Sequence, residues 1–459
     1  MRRGGSALVV VSALTLLVLP GLSGTGTASS GGSGRIFQRA ARPTPPNVPP
    51  GFHDNVVISG LNLPTVIQFA PDGRVFIAEK GGLIEEFDSL SDPMPTVVAD
   101  LSTNVYNYGD RGLLGMALDP NFGTSSYLYV LYTLDAPIGQ QPPVYNDACG
   151  GAYCVAGARA SRLLVDLNNH GGPEQILIED WCQQYDSHSI GTLAFGPEGA
   201  LYIGGGDGAS YNEVDYGQNG NPCGDPLKEG GALRSQDIVH HGDTTGMNGS
   251  ILRVDPATGD AWPGNPLSGN ADPSDDRIIA TGLRNPFRFA VKPGGSDRIW
   301  LGDVGWNSWE EIDGILSAGD APVEDFGWPC YEGRFIQSGY QGANLPICNQ
   351  LYANPGKVRK PWVALSHGSG GCSGSNVFSA VGFYTGATFP SQYAGAFFFG
   401  DVARGCLWTM FADSNGDPDP TTGFTFGSGI YAVDLKTGPN GDLFYVDHYG
   451  GAIHELSYG

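Results

Sequence analysis

Val66-Ile-Gln-Phe-Ala-Pro-Asp-Gly-Arg-Val-Phe-Ile-Ala78 decides the fold: an apolar strand, a Pro-Asp-Gly turn, then a second apolar strand. Pro presets φ for the turn and Gly supplies positive φ at its end. The flanking β-branched and aromatic side chains suit a pleated, buried strand. The pattern returns at Leu193-Ala-Phe-Gly-Pro-Glu-Gly-Ala-Leu-Tyr-Ile203, Phe289-Ala-Val-Lys-Pro-Gly-Gly-Ser-Asp-Arg-Ile-Trp-Leu301 and Thr437-Gly-Pro-Asn-Gly-Asp-Leu-Phe-Tyr-Val446. Looser copies are Met116-Ala-Leu-Asp-Pro-Asn-Phe122, running on to residues 127–132, and Tyr393-Ala-Gly-Ala-Phe-Phe-Phe399. Six copies over about 400 residues give about 65 residues each, a propeller blade with loop insertions. Such units bury their faces only by stacking, and radial stacking protects the sheet edges. The expectation is an all-β chain folded as a six-bladed β-propeller with long inter-strand loops.

Composition points the same way. Gly (71) and Pro (33) make up about 23% of 459 residues against roughly 12% in an average protein, which argues against a helical bundle. No Gly-X-Y period is present, and 15% charged residues is too few for a coiled coil. Hydrophobic residues at 41% are too many for a disordered chain. A net charge of −23 repels nucleic acid and anionic lipid, and leaves carboxylates able to hold calcium.

At the N-terminus, Arg2 and Arg3 precede an apolar run over residues 7–19, broken by Pro20 and Gly21 and followed by small residues to Ala28. This predicts a signal peptide over 1–28, a Pro/Gly/Ser-rich linker over 29–50 and the propeller over 51–459. The run is short for a membrane span, and no later stretch is long and apolar enough to be one, so the expected location is secreted, outside the cell or in its envelope. Eight cysteines (149, 154, 182, 223, 330, 348, 372 and 406) form no CxxC pair and fit four disulfides. Pairing in sequential order is expected, because each pair then closes a local loop.

No GxSxG, HExxH or Walker A motif stands out. His188 precedes the strand that begins at Ile190, and the partner strand runs out at Gly206-Asp207-Gly208. A hairpin sets the start of one strand beside the end of the other, which brings Asp207 to His188. A carboxylate on imidazole fixes the tautomer and raises basicity, as a general base requires; the bland alternative is a surface His near a loop Asp. Arg284-Asn285-Pro286 opens another repeat, where Arg and Asn can polarise a carbonyl or form an ordinary turn with a salt bridge. Gly302-Asp-Val-Gly-Trp-Asn-Ser-Trp-Glu-Glu-Ile-Asp313 could hold a hard cation, and Asp413-Ser-Asn-Gly-Asp417 is either a weak calcium loop or a solvated turn.

These residues, with Gly109-Asp-Arg-Gly-Leu-Leu-Gly-Met-Ala-Leu-Asp-Pro120, Gly282-Leu-Arg-Asn-Pro286 and Gly302-Asp-Val-Gly305 with Glu311-Ile312, resemble the soluble quinoprotein glucose dehydrogenases and the related aldose (glucose/sorbosone) dehydrogenases. The likeness covers about residues 56–456. It implies a six-bladed propeller using pyrroloquinoline quinone (PQQ) and calcium to oxidise an aldose or oligosaccharide to a lactone, with an external electron acceptor. It further implies that His188 takes the anomeric hydroxyl proton, that Asp207 orients His188, that Arg284 and Asn285 meet the quinone carbonyl, and that the Gly305 and Trp306 carbonyls bind calcium. The family clamps the three PQQ carboxylates with one Lys and two Arg, which the resemblance aligns with Ala403, Tyr431 and Val433. Arg404, beside Ala403, is then the remaining cofactor-binding cation, with Lys436 as a further compensating charge, and Val304 replaces a Gln near the calcium ligands. Each charge-assisted contact is worth roughly 1.5–3 kcal/mol, so the clamp's absence bears on the chemistry. Hedgehog-interacting-protein-like propellers keep this scaffold for interaction, and the alternative reading is a non-catalytic secreted propeller. It would bind glycan or protein, with Trp306, Trp309 and Trp328 available for stacking.

Overall fold

Every copy of the strand–turn–strand pattern lies in the first two strands of a sheet. The computed structural model describes residues 45–459 except 150–153, 166–170, 240–245, 270–271, 320–321 and 369–370, so the expected signal peptide and most of the linker lie outside the described residues. Blade 1 comprises Pro64–Phe69, Val75–Glu79, Leu83–Phe87 and Thr96–Asp100. Blade 2 comprises Leu113–Leu118, Tyr127–Thr133, Ala156–Leu164 and Gln175–Gln183. Blade 3 holds Ile190–Phe195, Leu201–Gly205, Ser250–Val254 and Ile278–Thr281, with Glu324–Asp325 added in parallel at its edge. Blade 4 holds Arg288–Val291, Ile299–Asp303, Trp309–Ile315 and Val363–Ser366. Blade 5 holds Phe378–Phe383, Phe397–Asp401, Cys406–Met410 and Phe424–Ser428. Blade 6 takes Ala432–Thr437, Leu443–Asp447 and Ala452–Tyr458 from the C-terminus and Phe52–Ser59 from the N-terminal side. The structure is the six-bladed propeller that the repeat predicts.

The turn chemistry is visible in blade 1. Phe69 pairs with Val75, and between them Gly73, at φ +97°, donates its amide to the Ala70 carbonyl at 3.0 Å. A Cβ at Gly73 would meet nothing, so the left-handed backbone, not lack of room, selects glycine.

Apolar faces are buried between blades. Val66, Ala78, Leu113, Met116 and Val130 join blades 1 and 2. Phe398, Leu407 and Phe426 of blade 5 pack on Leu435, Leu443 and Tyr445 of blade 6. Ile67 and Ile77 meet Val433, Phe444 and Ile453, which closes the circle from blade 6 to blade 1. The first strands of the blades contact one another in a closed ring around the centre.

Three blades share a tethering device. The carboxylate at the end of the second strand grips backbone amides just ahead of the first strand of its own blade. Glu79 accepts from Asn62 (2.5 Å), Asp303 from Arg284 (2.9 Å) and Asn285 (2.6 Å), and Asp401 from Asn376 (2.5 Å) and Val377 (3.1 Å).

The cysteines pair in sequential order: 149–154, 182–223, 330–348 and 372–406. Asn47, assigned to the linker, pairs with Ser428 of blade 5 through both backbone hydrogen bonds (2.8 and 3.0 Å), because the outer edge of that blade offers free backbone groups. The Asp413–Asp417 loop is a turn closed on itself, the second of its two readings. Asp413 accepts the amides of Asn415 and Asp417, and the Asp417 carboxylate is already neutralised by Lys292 (2.6 Å) and Arg298. No helix among the described residues is long and apolar enough to cross a membrane.

Candidate active site

First-strand starts and second-strand ends of the blades converge on one mouth of the ring. There they line a cavity of about 590 Å³. Thr65, Leu114, Ile190, Phe287, Ser379 and Val433 come from the strand starts. Lys80, Val304, Gly305, Val402, Ala403 and His448 follow the strand ends.

In blade 3 a carboxylate just beyond the second strand is put to a different use. Ile190 pairs with Gly205, so His188 and Asp207 each lie two residues beyond the ladder on the same side. Here the carboxylate meets an imidazole. His188 Nδ1–H donates to Asp207 Oδ1 at 2.7 Å. Asp207 is 0% exposed; Oδ1 also accepts the Ala209 amide (2.9 Å) and Oδ2 accepts Trp328 Nε1 (2.7 Å). Burial works to raise the Asp207 pKa, but His188, its hydrogen bond and the Arg284 charge together hold it below the usual carboxylate value. His188 lines the cavity, and no described residue hydrogen-bonds its Nε2. Its backbone is left-handed at φ +50°, fixed by the Gly208 amide on its carbonyl (3.0 Å) and by its own amide on Asp110 Oδ2 (3.2 Å). An uncommon backbone conformation held on both sides is a feature of functional positions.

Arg284 and Asn285 enter from the loop ahead of blade 4, and both line the cavity. Arg284 Nη1 donates to the carbonyls of Val304 (2.8 Å) and Gly305 (2.6 Å), and its guanidinium lies 5.4 Å from the Trp328 ring centre. Its Nε is buried without a partner among the described residues. The loop carrying Gly305 and Trp306 is held by Glu332 Oε1, which accepts the amides of Trp306, Asn307, Ser308 and Trp309 at 2.8–3.2 Å. A Cβ on Gly305 would fall 1.5 Å from the Trp309 carbonyl oxygen, so only glycine permits this loop.

Six of the seven residues singled out in the sequence therefore gather here: His188, Asp207, Arg284, Asn285, Gly305 and Trp306. Arg404 does not. Its guanidinium is held by the Gly368 and Gly371 carbonyls and by Asn376 Oδ1, and Arg404 is not among the residues that line the cavity, unlike Ala403 and Asn376. Sequence reasoning missed Lys80, Asp110, Asp186, Tyr211, Asn376, His448 and Tyr449, which all line the cavity. For Lys80 and His448 a signal existed: each is the first residue after the second strand of its repeat, one position ahead of the place Asp207 takes in blade 3. Burial pushes the Lys80 ammonium down to about 8 against the pull of Asp110 and Asp147. Burial also pushes His448 down to about 4; its Nδ1–H donates to the Pro64 carbonyl at 2.9 Å, and the Lys80 and Arg288 charges add to the shift.

The donor set can be tested against the two groups that the resemblance implies. An acidic, carbonyl-bearing planar ring such as PQQ finds apolar walls (Leu114, Val304, Val377, Val402, Val433), the Arg284 guanidinium charge and the Lys80 ammonium, so the residues fit it. Calcium does not fit this arrangement. The Gly305 carbonyl it would need already carries the Arg284 guanidinium, and two cations cannot share that oxygen without repulsion.

A model of the family described as Glucose / Sorbosone dehydrogenase matches residues 61–454. The chain is similar to quinoprotein glucose dehydrogenase B of Acinetobacter calcoaceticus, 27% identical over 297 residues, 64% of this chain and 55% of that protein. It is also similar to the HIPL2 protein of Arabidopsis thaliana, 25% identical over 258 residues, 52% of this chain and 31% of that protein. The matches thus span only about a half and a third of these two curated relatives. In fold it resembles the PQQ-bound form of aldose sugar dehydrogenase from Streptomyces coelicolor, with TM-score 0.62 at 20% identity over 90% of this chain and 100% of that one. Because the family match runs from the loop ahead of blade 1 into the last strand of blade 6, and so takes in every residue of the cavity wall, the chain belongs to the glucose/sorbosone dehydrogenase family.

Proposed function

We propose that this chain is a sugar oxidoreductase that binds PQQ and oxidises the anomeric hydroxyl of an aldose, or of an oligosaccharide's reducing end, to a lactone. The observation that carries this reading is the buried His188–Asp207 pair, with Nε2 unshared on a cavity that also holds Arg284. PQQ, when bound, supplies the acceptor for the hydride leaving the anomeric carbon. His188 Nε2 takes the hydroxyl proton. Asp207, kept ionised, holds Nδ1–H in place and stabilises the imidazolium that results. Arg284 sets its guanidinium charge beside a carbonyl oxygen on which negative charge grows, in surroundings where such a charge is worth more than in water. Asn285 lines the same wall and helps to orient what binds there. Four disulfides suit an oxidising compartment, so the reading places this activity outside the cell.

The experiment is dye reduction by purified protein with PQQ and a panel of aldoses, comparing wild type with His188→Ala. The expected result is a loss of about 10²–10⁴ in kcat/KM, the usual contribution of a positioned base. Equal rates in the two proteins would remove His188 as the base. A wild type that neither binds PQQ nor reduces dye would instead favour the non-catalytic glycan- or protein-binding propeller.

A further inference from the structure

We propose that Lys80 anchors the acidic end of the quinone cofactor, from the side of the ring opposite Arg284. The inference rests on the PQQ reading above and deepens it by naming the cation that stands in for the family's clamp. Positions 403, 431 and 433, in blade 5 and at the entry to blade 6, carry Ala, Tyr and Val, so a carboxylate-bearing ligand meets no charge there. The two obvious substitutes are turned elsewhere. Arg404 is spent on the Gly368 and Gly371 carbonyls and Asn376. Lys436 lies 3.9 Å from Asp434 and lines a separate small crevice together with Arg288. Of the Lys and Arg side chains, only Lys80 and Arg284 line the cavity among the described residues.

Lys80 is built for the task. Its ammonium has three donors, and its one hydrogen bond among the described residues goes to Asn107 Oδ1 at 2.6 Å. It follows the second strand of blade 1. Blade 1 is the ring neighbour of blade 6, where two of the lost cations belonged, and stands three blades from blade 4, whose entry loop carries Arg284. A planar ligand whose carbonyl edge meets Arg284 therefore points its far end at Lys80. The groups facing Lys80 are Asp110, from the loop entering blade 2, Asp147, from the loop between the second and third strands of blade 2, and His448 of blade 6. The carboxylates help to keep the ammonium charged, and His448 is neutral and adds no competing cation at neutral pH. Arg288 lies beneath the floor. It is fully buried, donates to the carbonyls of Thr65 (2.9 Å), Phe287 (3.0 Å) and Val433 (2.8 Å), and adds positive potential under the same end.

The test is direct titration with PQQ, followed by calorimetry and by quinone absorbance, of wild type, Lys80→Met and Lys80→Arg between pH 6 and 9.5. Lys80→Met should weaken binding by about 10- to 100-fold, the range for one charge-assisted contact, and Lys80→Arg should keep most of the affinity. The sign with pH follows from the ammonium. Wild-type affinity is highest below about pH 8 and falls above it, while the Lys80→Met profile stays flat in that window. Lys80→Met binding PQQ as tightly as wild type, with the same pH profile, overturns the anchor alone. A wild type that binds no PQQ overturns the anchor together with the dehydrogenase reading. Should Lys80→Met fail to fold, the pH profile of wild type against Lys80→Arg decides: Arg stays charged through pH 9.5, so affinity must persist in that variant where wild type loses it.

Discussion

At Asp313 both carboxylate oxygens are buried, and neither meets a donor among the described residues. Burial raises its pKa well above the usual value, and the nearby Glu311, Asp303 and Glu324 charges raise it further, so the folded protein holds it as the neutral acid. The sign for stability follows. A carboxyl whose folded pKa lies above its unfolded value of about 4 is tolerated at low pH and costs stability as pH climbs past that value. Asp313→Asn keeps the shape and removes the ionisation. Urea unfolding at pH 4.5 and 7.5 should show the variant gaining on wild type at the higher pH, and an identical difference at both values would sink the argument. A charged residue at a strand position looks like an exposed one in sequence, so the burial of Asp313 could not be read there. His188 and Asp207 were legible because a hairpin's register is local. Lys80 showed in the sequence only as the residue after a second strand, and its place on the cavity wall comes from ring closure.

The insertion that follows the second strand of blade 3 shows how an element acquires its place. Residues 205–249 carry Asp207 and Tyr211, and Cys223 ties the insertion to Cys182 in the outer strand of blade 2. Trp306 Nε1 donates to the Tyr211 carbonyl at 2.8 Å, and the Trp306 ring packs edge-on against Trp328 and Tyr340 at 6.2 and 5.9 Å. The tryptophans are thus packing residues first: Trp328 is buried and spends its Nε1 on Asp207. The disulfide spans 41 residues. Replacing both cysteines by serine should cost about 2–4 kcal/mol and expose the insertion to limited proteolysis. An unchanged thermal midpoint and cleavage pattern would mean that aromatic packing alone holds the loop.

Ring closure belongs to the whole molecule. The strand Phe52–Ser59 joins the C-terminal strand Ala452–Tyr458, from Phe52 opposite Tyr458 to Ser59 opposite Ala452. Phe52 adds an aromatic lock, edge-on to Phe389, Phe426 and Tyr458 at 4.8, 4.9 and 5.0 Å, which binds blade 6 to blade 5. Phe52→Ala should cost about 3–5 kcal/mol in denaturant unfolding, as large core truncations do. A loss below about 1 kcal/mol would show that the backbone ladder closes the ring without it.

The sequence by itself determined the blade. Turn residues, strand patterning and the hairpin pairing of His188 with Asp207 are set by neighbours within some twenty residues, and sequential loop closure likewise anticipated all four disulfides. Tertiary structure decided what happens across the ring. It left Arg404 off the cavity wall, set Arg284 on the Gly305 carbonyl where a metal had been expected, and drew Asn47 onto blade 5. It also left Lys80 and Arg284 as the two Lys or Arg residues on the cavity wall among the described residues. Asn47 meets Ser428 from the other end of the chain, whereas Arg284 and Gly305 lie only 21 residues apart and Arg404 lies 28–36 residues from its partners; in each case burial and the competition for a few carbonyl and carboxylate oxygens, rather than local propensity, fix the outcome.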